Sequence, residues 1–360
     1  MNSVHLFRFL ETVMIGVTGG FVFAILALPL PWVLGALTFV LIWQGVTKRM
    51  AFFPDPVKNT GFLTLGIYFG LYFTAATFLT VGPYILPYAA ATVILIVISI
   101  GAAIFVSRRI KVDEITSVFG SIPGGLTEMA IASEALKANS SLVIIFQTVR
   151  LLTVLFIVPV VIIFAFSQGQ TGTGVPVSAN EAADQSWGLA ALWFIIPVAI
   201  GIWKRNLIPA GIVIIPLFFT ALINIFIVSL PVLPPLLLIS AQVAVGIGLG
   251  KRISFDDLKA GGKYCFVYGG IAILLIFVSF GLGGLLSFFT TLSLPTALLS
   301  VAPGGLIEMV LTASIVGGDP AVVSALQLTR LLVIIIFVPP LLKWYFNKKA
   351  GNRQSTPTSV

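Results

Sequence analysis

Four charged residues interrupt stretches otherwise built from Leu, Ile, Val, Ala and Phe: Glu128, Arg150, Glu308 and Arg330. They form two pairs of equal spacing, 180 residues apart. A carboxylate at membrane depth is costly unless paired or protonated, so Glu128 and Glu308 are candidates for carrying a proton or ligating sodium. An arginine at that depth costs ~3 kcal/mol or more and must face protein or water. Its planar fork suits a carboxylate bidentately. Gln147 and Gln327 precede the arginines by three residues, so each Gln–Arg pair shares one helix face.

Each glutamate follows a Pro-Gly-Gly-Leu run: Pro123, Gly124 and Gly125 before Glu128, and Pro303, Gly304 and Gly305 before Glu308. Proline removes a backbone donor and glycine favours unwinding, so a straight helix is not expected there. If the chain turns at this point, a short helix starts just after it, with its free N–H groups and positive dipole end directed at the membrane midplane. Such an end can hold an anionic group. Two plainer roles stay open. The glutamates could cap their own short helices, or each arginine could be permanently paired with Glu128 or Glu308.

The elements that must position these groups are themselves duplicated. From 123 to 159, a shift of 180 matches 13 of 37 positions without a gap, including Pro159 onto Pro339. Outside that stretch Gly66, Gly70 and Pro29 fall on Gly246, Gly250 and Pro209. Ser121 and Thr127 flank the first motif where Val301 and Ile307 flank the second, so the copies are not equivalent. Gln44 and Asn224 are also partners under the shift, amides near the ends of apolar stretches that could line a cavity or face headgroups.

Composition sets the medium. Hydrophobic residues make up 58% of the 360 and charged residues 9%, against roughly 25% charged in soluble domains. The chain is therefore read as a polytopic membrane protein, and its continuous apolar runs exclude a transmembrane barrel. Ten spans are expected, at about 10–27, 30–47, 59–80, 84–107, 141–166, 187–203, 207–229, 235–250, 264–287 and 321–342. The start is taken as the first span and not a cleaved signal. Cys265 is the lone cysteine and His5 the lone histidine, which argues against a disulfide framework or a histidine metal site.

Charge decides how the motif segments, about 114–138 and 294–319, run. If both are re-entrant and the N-terminus is inside, 18 of the 20 Lys and Arg fall on the inner side. The remaining two are Arg150 and Arg330, within spans. Full crossings weaken that bias, so the positive-inside rule favours re-entrant segments. Five crossings per half, an odd number, then invert the second copy. Arg108-Arg109-Ile110-Lys111 is inside, whereas its partner Phe288-Phe289-Thr290-Thr291 is outside and uncharged.

The paired Pro-Gly-Gly-Leu-x-Glu-Met motifs, each followed by Gln-x-x-Arg-Leu-Leu, resemble the AbrB-duplication family of bacterial membrane proteins. The resemblance covers essentially the whole chain. More distantly, the layout is similar to the citrate and glutamate sodium symporters, which implies inverted five-span repeats with glycine-rich re-entrant hairpins.

Together these features predict an all-α polytopic membrane protein of two inverted repeats, each of five transmembrane helices plus one re-entrant or broken helix. Repeat 1 covers 1–166, an extracytoplasmic linker 167–186, repeat 2 187–346 and a cytoplasmic tail 347–360. The expected activity is secondary transport of a small carboxylate-bearing metabolite or amino acid, coupled to H⁺ or Na⁺, and not enzymatic. Pro123, Gly124, Gly125, Gln147, Arg150, Pro303, Gly304, Gly305, Gln327 and Arg330 are the expected substrate site, with Glu128 and Glu308 coupling the ion. No cofactor or metal beyond a coupling ion is expected. The expected partners are a small anionic or zwitterionic solute and the lipid bilayer, with no nucleic acid; a homodimer is left open. A non-transporting signalling subunit and a passive channel are the rivals. Multi-pass insertion in the bacterial inner membrane, with both termini cytoplasmic, completes the expectation.

Overall fold

The computed structural model describes residues 3–110, 112–136, 138–166, 189–208 and 210–354. The linker expected at 167–186 and the last residues of the tail lie outside them. Every regular element among the described residues is helical: the protein is an all-α, polytopic membrane protein.

The first helix, α1, is Ser3–Ile25. A π-helical turn, Pro31–Gly35, runs into α2, Ala36–Thr47. Then follow α3 (Asp55–Leu71), α4 (Ala75–Val81), α5 (Ile85–Ile110), α6 (Glu114–Ser121), α7 (Leu126–Glu134) and α8 (Ser140–Phe166). After the undescribed segment come a 3₁₀ turn, Leu189–Phe194, and α9, Ile195–Lys204. The remainder is α10 (Gly211–Phe226), α11 (Pro235–Arg252), α12 (Phe255–Gly261), α13 (Lys263–Phe289), α14 (Leu294–Val301), α15 (Leu306–Ile315) and α16 (Pro320–Gln354).

The boundaries repeat at the sequence's own period. Helices α4 and α12, and α6 and α14, coincide to the residue after a shift of 180. The backbone repeats too. Leu30, entering the π turn, and Ala210, entering α10, both adopt left-handed conformations, with φ of 45° and 54°. That conformation is disfavoured for branched or bulky residues and persists only where the surroundings fix it; Leu30 is fully buried.

Among the described residues, five helical stretches are long and apolar enough to cross a membrane: Val4–Ile25, Ala75–Ile110, Ser140–Phe166, Lys263–Phe289 and Pro320–Phe346. Helices α11 and α12, bent by 47° at their junction, make a sixth if counted together. The remaining expected spans are shorter helices. The one expected at 59–80 stops at Leu71, and 75–81 forms a separate helix. The reason lies far away in sequence: Asn224 Nδ2 donates to Leu71 O at 3.3 Å and to Phe73 O at 3.4 Å. A side chain from the second half thus satisfies carbonyls that a longer helix would have used. The mirror contact is Gln44, whose Nε2 donates to Gly250 O at 3.0 Å, at the end of α11. Both amides therefore join the two halves and do not merely face headgroups.

The halves interlock. Helix α3 packs on α10, α11 packs on α2, and α13 packs on both α5 and α8. Tyr88 on α5 donates to Ser300 O on α14, while Tyr268 on α13 donates to Ser117 Oγ on α6, at 3.0 and 2.7 Å. One apolar cluster, including Leu34 and Leu65 with Val158 and Met309, runs through both halves and backs the second motif segment, while a separate cluster with Phe119, Ile122 and Met129 backs the first.

Candidate functional site

Each Pro-Gly-Gly segment breaks its helix in the same way. A residue before proline is pushed to extended backbone, and Ile122 (ψ 132°) and Ala302 (ψ 133°) obey, ending α6 and α14. A tight turn follows: Gly124 N–H donates to Ile122 O at 2.7 Å and Gly304 N–H to Ala302 O at 2.8 Å. Gly125 and Gly305 are extended, with negative φ, and open α7 and α15.

The glycines are needed for space and not for left-handed backbone. A Cβ on Gly124 would sit 2.5 Å from Met129 Cε, and one on Gly304 would run into the Met309 side chain. Both methionines are fully buried beneath their turns. A Cβ on Gly305 would meet the Glu308 carboxylate.

The broken ends of α6 and α14 leave carbonyls without helical partners. In the first half, Gln147 Nε2 donates to Phe119 O at 2.6 Å and Ile122 O at 3.0 Å. Arg150 Nη1 donates to Ile122 O at 2.6 Å and Nη2 to Gly124 O at 3.3 Å. In the second half, Gln327 Nε2 donates to Leu299 O at 2.7 Å and Ala302 O at 3.2 Å. Arg330 donates to Ala302 O and, at 2.8 Å, to Gly304 O. A cation at a helix C-terminus also opposes the negative end of the dipole. The backbone of the broken helix is thus the arginine's protein partner, an arrangement the sequence expectation did not contain.

These contacts bring all ten residues of the expected substrate site around one cavity of about 220 Å³. Leu151, Leu306, Leu331, Ile334 and Ile335 complete its wall. Their signal in sequence was only their position beside Arg150, Gly305 and Arg330, indistinguishable from ordinary lipid-facing apolar residues. Among the described residues the lining carries two arginines and no Asp or Glu.

A scan of family models finds one, described as Transition state regulatory protein AbrB, matching residues 32–346. The chain belongs to the AbrB family. It is 22% identical over 356 residues to YhjN of Bacillus subtilis (strain 168), covering 93% of this chain and 92% of that one. It is 28% identical over 242 residues to a protein of Escherichia coli (strain K12) named as a regulator AbrB, covering 64% and 65% of the two chains.

The two halves of this AbrB-family site also differ in how the glutamine and arginine pair. Gln327 Oε1 accepts from Arg330 Nη2 at 2.5 Å. The equivalent Gln147 Oε1 is buried without a partner among the described residues, as is Arg150 Nε. Guanidinium carries five N–H donors, and Arg150 directs two of them to carbonyls. Among the described residues, the first half therefore holds hydrogen-bonding capacity at the cavity wall that the second half uses.

Glu308 is 4% exposed, at the third position of α15, with its carboxylate folded over Gly305 and outside the cavity lining. The side chain of Glu128 lies outside the described residues. Among the described residues the only ion pair joins Asp55 and Lys58, at 2.7 Å near the start of α3. That lysine holds the exposed Asp55 carboxyl below its usual range.

Proposed function

We propose that the chain is a secondary active transporter of a small carboxylate-bearing metabolite or amino acid, coupled to H⁺ or Na⁺, and not an enzyme. One observation carries the reading: two buried guanidiniums line a single cavity whose wall, among the described residues, contains no carboxylate. Buried charge without a counter-charge is costly, and an anionic ligand supplies one. Donors held in fixed geometry by the broken helix ends suit a carboxylate's two oxygens.

The motif segments are read as re-entrant hairpins of two inverted repeats. Asn139 N–H donates to Thr116 Oγ1 at 3.0 Å, and Asp319 N–H to Thr296 Oγ1 at 2.9 Å. These bonds tie the exit of each segment to its entry, which supports a chain that doubles back. The tips then meet at mid-depth, and alternating access proceeds around them. Glu128 and Glu308 are the ion-coupling residues. Basic loops orient both termini to the cytoplasm of a bacterial inner membrane.

The name of the Escherichia coli relative favours a second reading, a membrane regulator that binds the same solute without moving it. The first test serves both. Purified protein is screened by thermal shift against small carboxylates and amino acids, with and without sodium. Ligands of the folded state raise its apparent stability by mass action, by about 2.7 kcal/mol at a hundred times Kd. A stabilising carboxylate supports the site. A panel in which only cations or neutral solutes stabilise overturns it.

A further inference from the structure

A second recess lies far from the Pro-Gly-Gly tips, where the end of α2 meets the start of α12. It measures about 330 Å³, and Lys48, Arg49 and Lys259 line it against a single carboxylate, Asp256. None of the three cations has an ion-pair partner among the described residues. Its walls are fixed. Gln44 Oε1 accepts from Ala51 N–H at 2.9 Å, Arg8 Nη2 donates to Met50 O at 2.9 Å, and Gln44 Nε2 ties the same turn to the end of α11. Lys48 takes a left-handed conformation, φ 55°, that ends α2 and turns the chain to place Arg49 beside it.

The recess does not stop at the polar boundary. It shares Ile42 and Val46 with a groove of about 480 Å³ along α1 and α2, lined by Met14, Ile15, Phe39 and Trp43. The groove is almost wholly apolar, and Val46, at the junction, is 78% exposed. A cationic cup opening into an apolar channel at the end of a membrane helix matches one chemistry: a phosphate headgroup with its acyl chain attached.

We infer that this composite recess is a binding site for one anionic phospholipid, with the phosphate held by Lys48, Arg49 and Lys259 and an acyl chain lying along Phe39 and Trp43. Basic residues at the membrane surface attract anionic lipid, and here three of them, from two separate chain segments, converge on one point. The recess also bridges α2 and α12. An occupied site would therefore brace the bent junction of α11 and α12. The inference rests on membrane embedding alone and stands or falls separately from the transport reading.

The test uses the full chain in neutral detergent, titrated with phosphatidylglycerol or with phosphatidylethanolamine and read by native mass spectrometry. The expected result is one retained phosphatidylglycerol per chain, in preference to phosphatidylethanolamine. Each of Lys48→Gln, Arg49→Gln and Lys259→Gln should weaken retention roughly fivefold, the fold-change equivalent to about 1 kcal/mol per cation. Glycerol 3-phosphate should not displace the lipid, because it lacks the chain. A control triple variant at Arg108, Arg109 and Lys343 separates the site from general surface charge. Equal loss in that control, unchanged retention in the site variants, or displacement by glycerol 3-phosphate would each overturn the proposal.

Discussion

Gln147 and Arg150, three residues apart on α8, donate to the same acceptor: Ile122 O receives Gln147 Nε2 at 3.0 Å and Arg150 Nη1 at 2.6 Å. The arginine is therefore both a cap for a broken helix and a wall of the cavity. The two roles predict different outcomes for different replacements. Arg150→Leu leaves Ile122 O and Gly124 O with fewer donors and should cost about 1–3 kcal/mol of stability. Arg150→Lys keeps the charge and one capping bond but loses the fork. It should largely preserve thermal stability while lowering carboxylate affinity at least tenfold. Equal ligand-induced shifts in wild type and Arg150→Lys would assign the residue to capping alone.

Space at the second tip is shared between a glycine and a carboxylate. Gly305→Ala should destabilise the protein by about 1–3 kcal/mol, because the new methyl group meets the Glu308 carboxylate. In a Glu308→Ala background the same change should cost much less. A double-mutant cycle by chemical denaturation measures this coupling; additive effects would mean that the contact is not what restricts position 305.

Glu308→Gln asks whether that carboxylate also couples an ion. The amide nearly keeps the shape and removes the titratable group. Ligand binding should lose its dependence on pH or on sodium, with the maximal thermal shift retained. A variant whose pH and sodium profiles overlay those of wild type would confine Glu308 to supporting the turn.

The proposed orientation of the halves rests on charge placement. On a Cys265→Ser background, cysteines introduced within 167–186 should react with an impermeant reagent applied outside cells. Those beside Arg109 and Lys251 should stay unlabelled until the membrane is opened. Outside labelling beside Arg109 would contradict the inverted arrangement.

Much of the candidate site was legible because polar residues are scarce in this chain, so Gln147, Arg150 and their counterparts stood out against Leu and Ile. The 180-residue shift then paired them without an alignment. What the letters could not show was the backbone. The arginines' protein partners are the carbonyls of Ile122, Gly124, Ala302 and Gly304, which exist only once proline has broken the helix. Contacts between halves were hidden for a similar reason. Asn224 and Gln44 read as isolated amides, and only folding across roughly 150 to 200 residues brings them to the ends of α3 and α11. The span expected at 59–80 was over-extended for that cause, since hydropathy carries no information about a side chain that caps the helix early. The glycines were recognised as helix breakers, but their steric role depends on Met129 and Met309 folding back beneath them.

The most direct test of the transport reading is uptake of the stabilising carboxylate into vesicles containing the purified protein, with a pH or sodium gradient imposed. Wild type should accumulate the solute above its external concentration only while the gradient lasts, and the Arg150→Lys/Arg330→Lys variant should not. Binding without uptake under any gradient, or undiminished uptake by that variant, would contradict it.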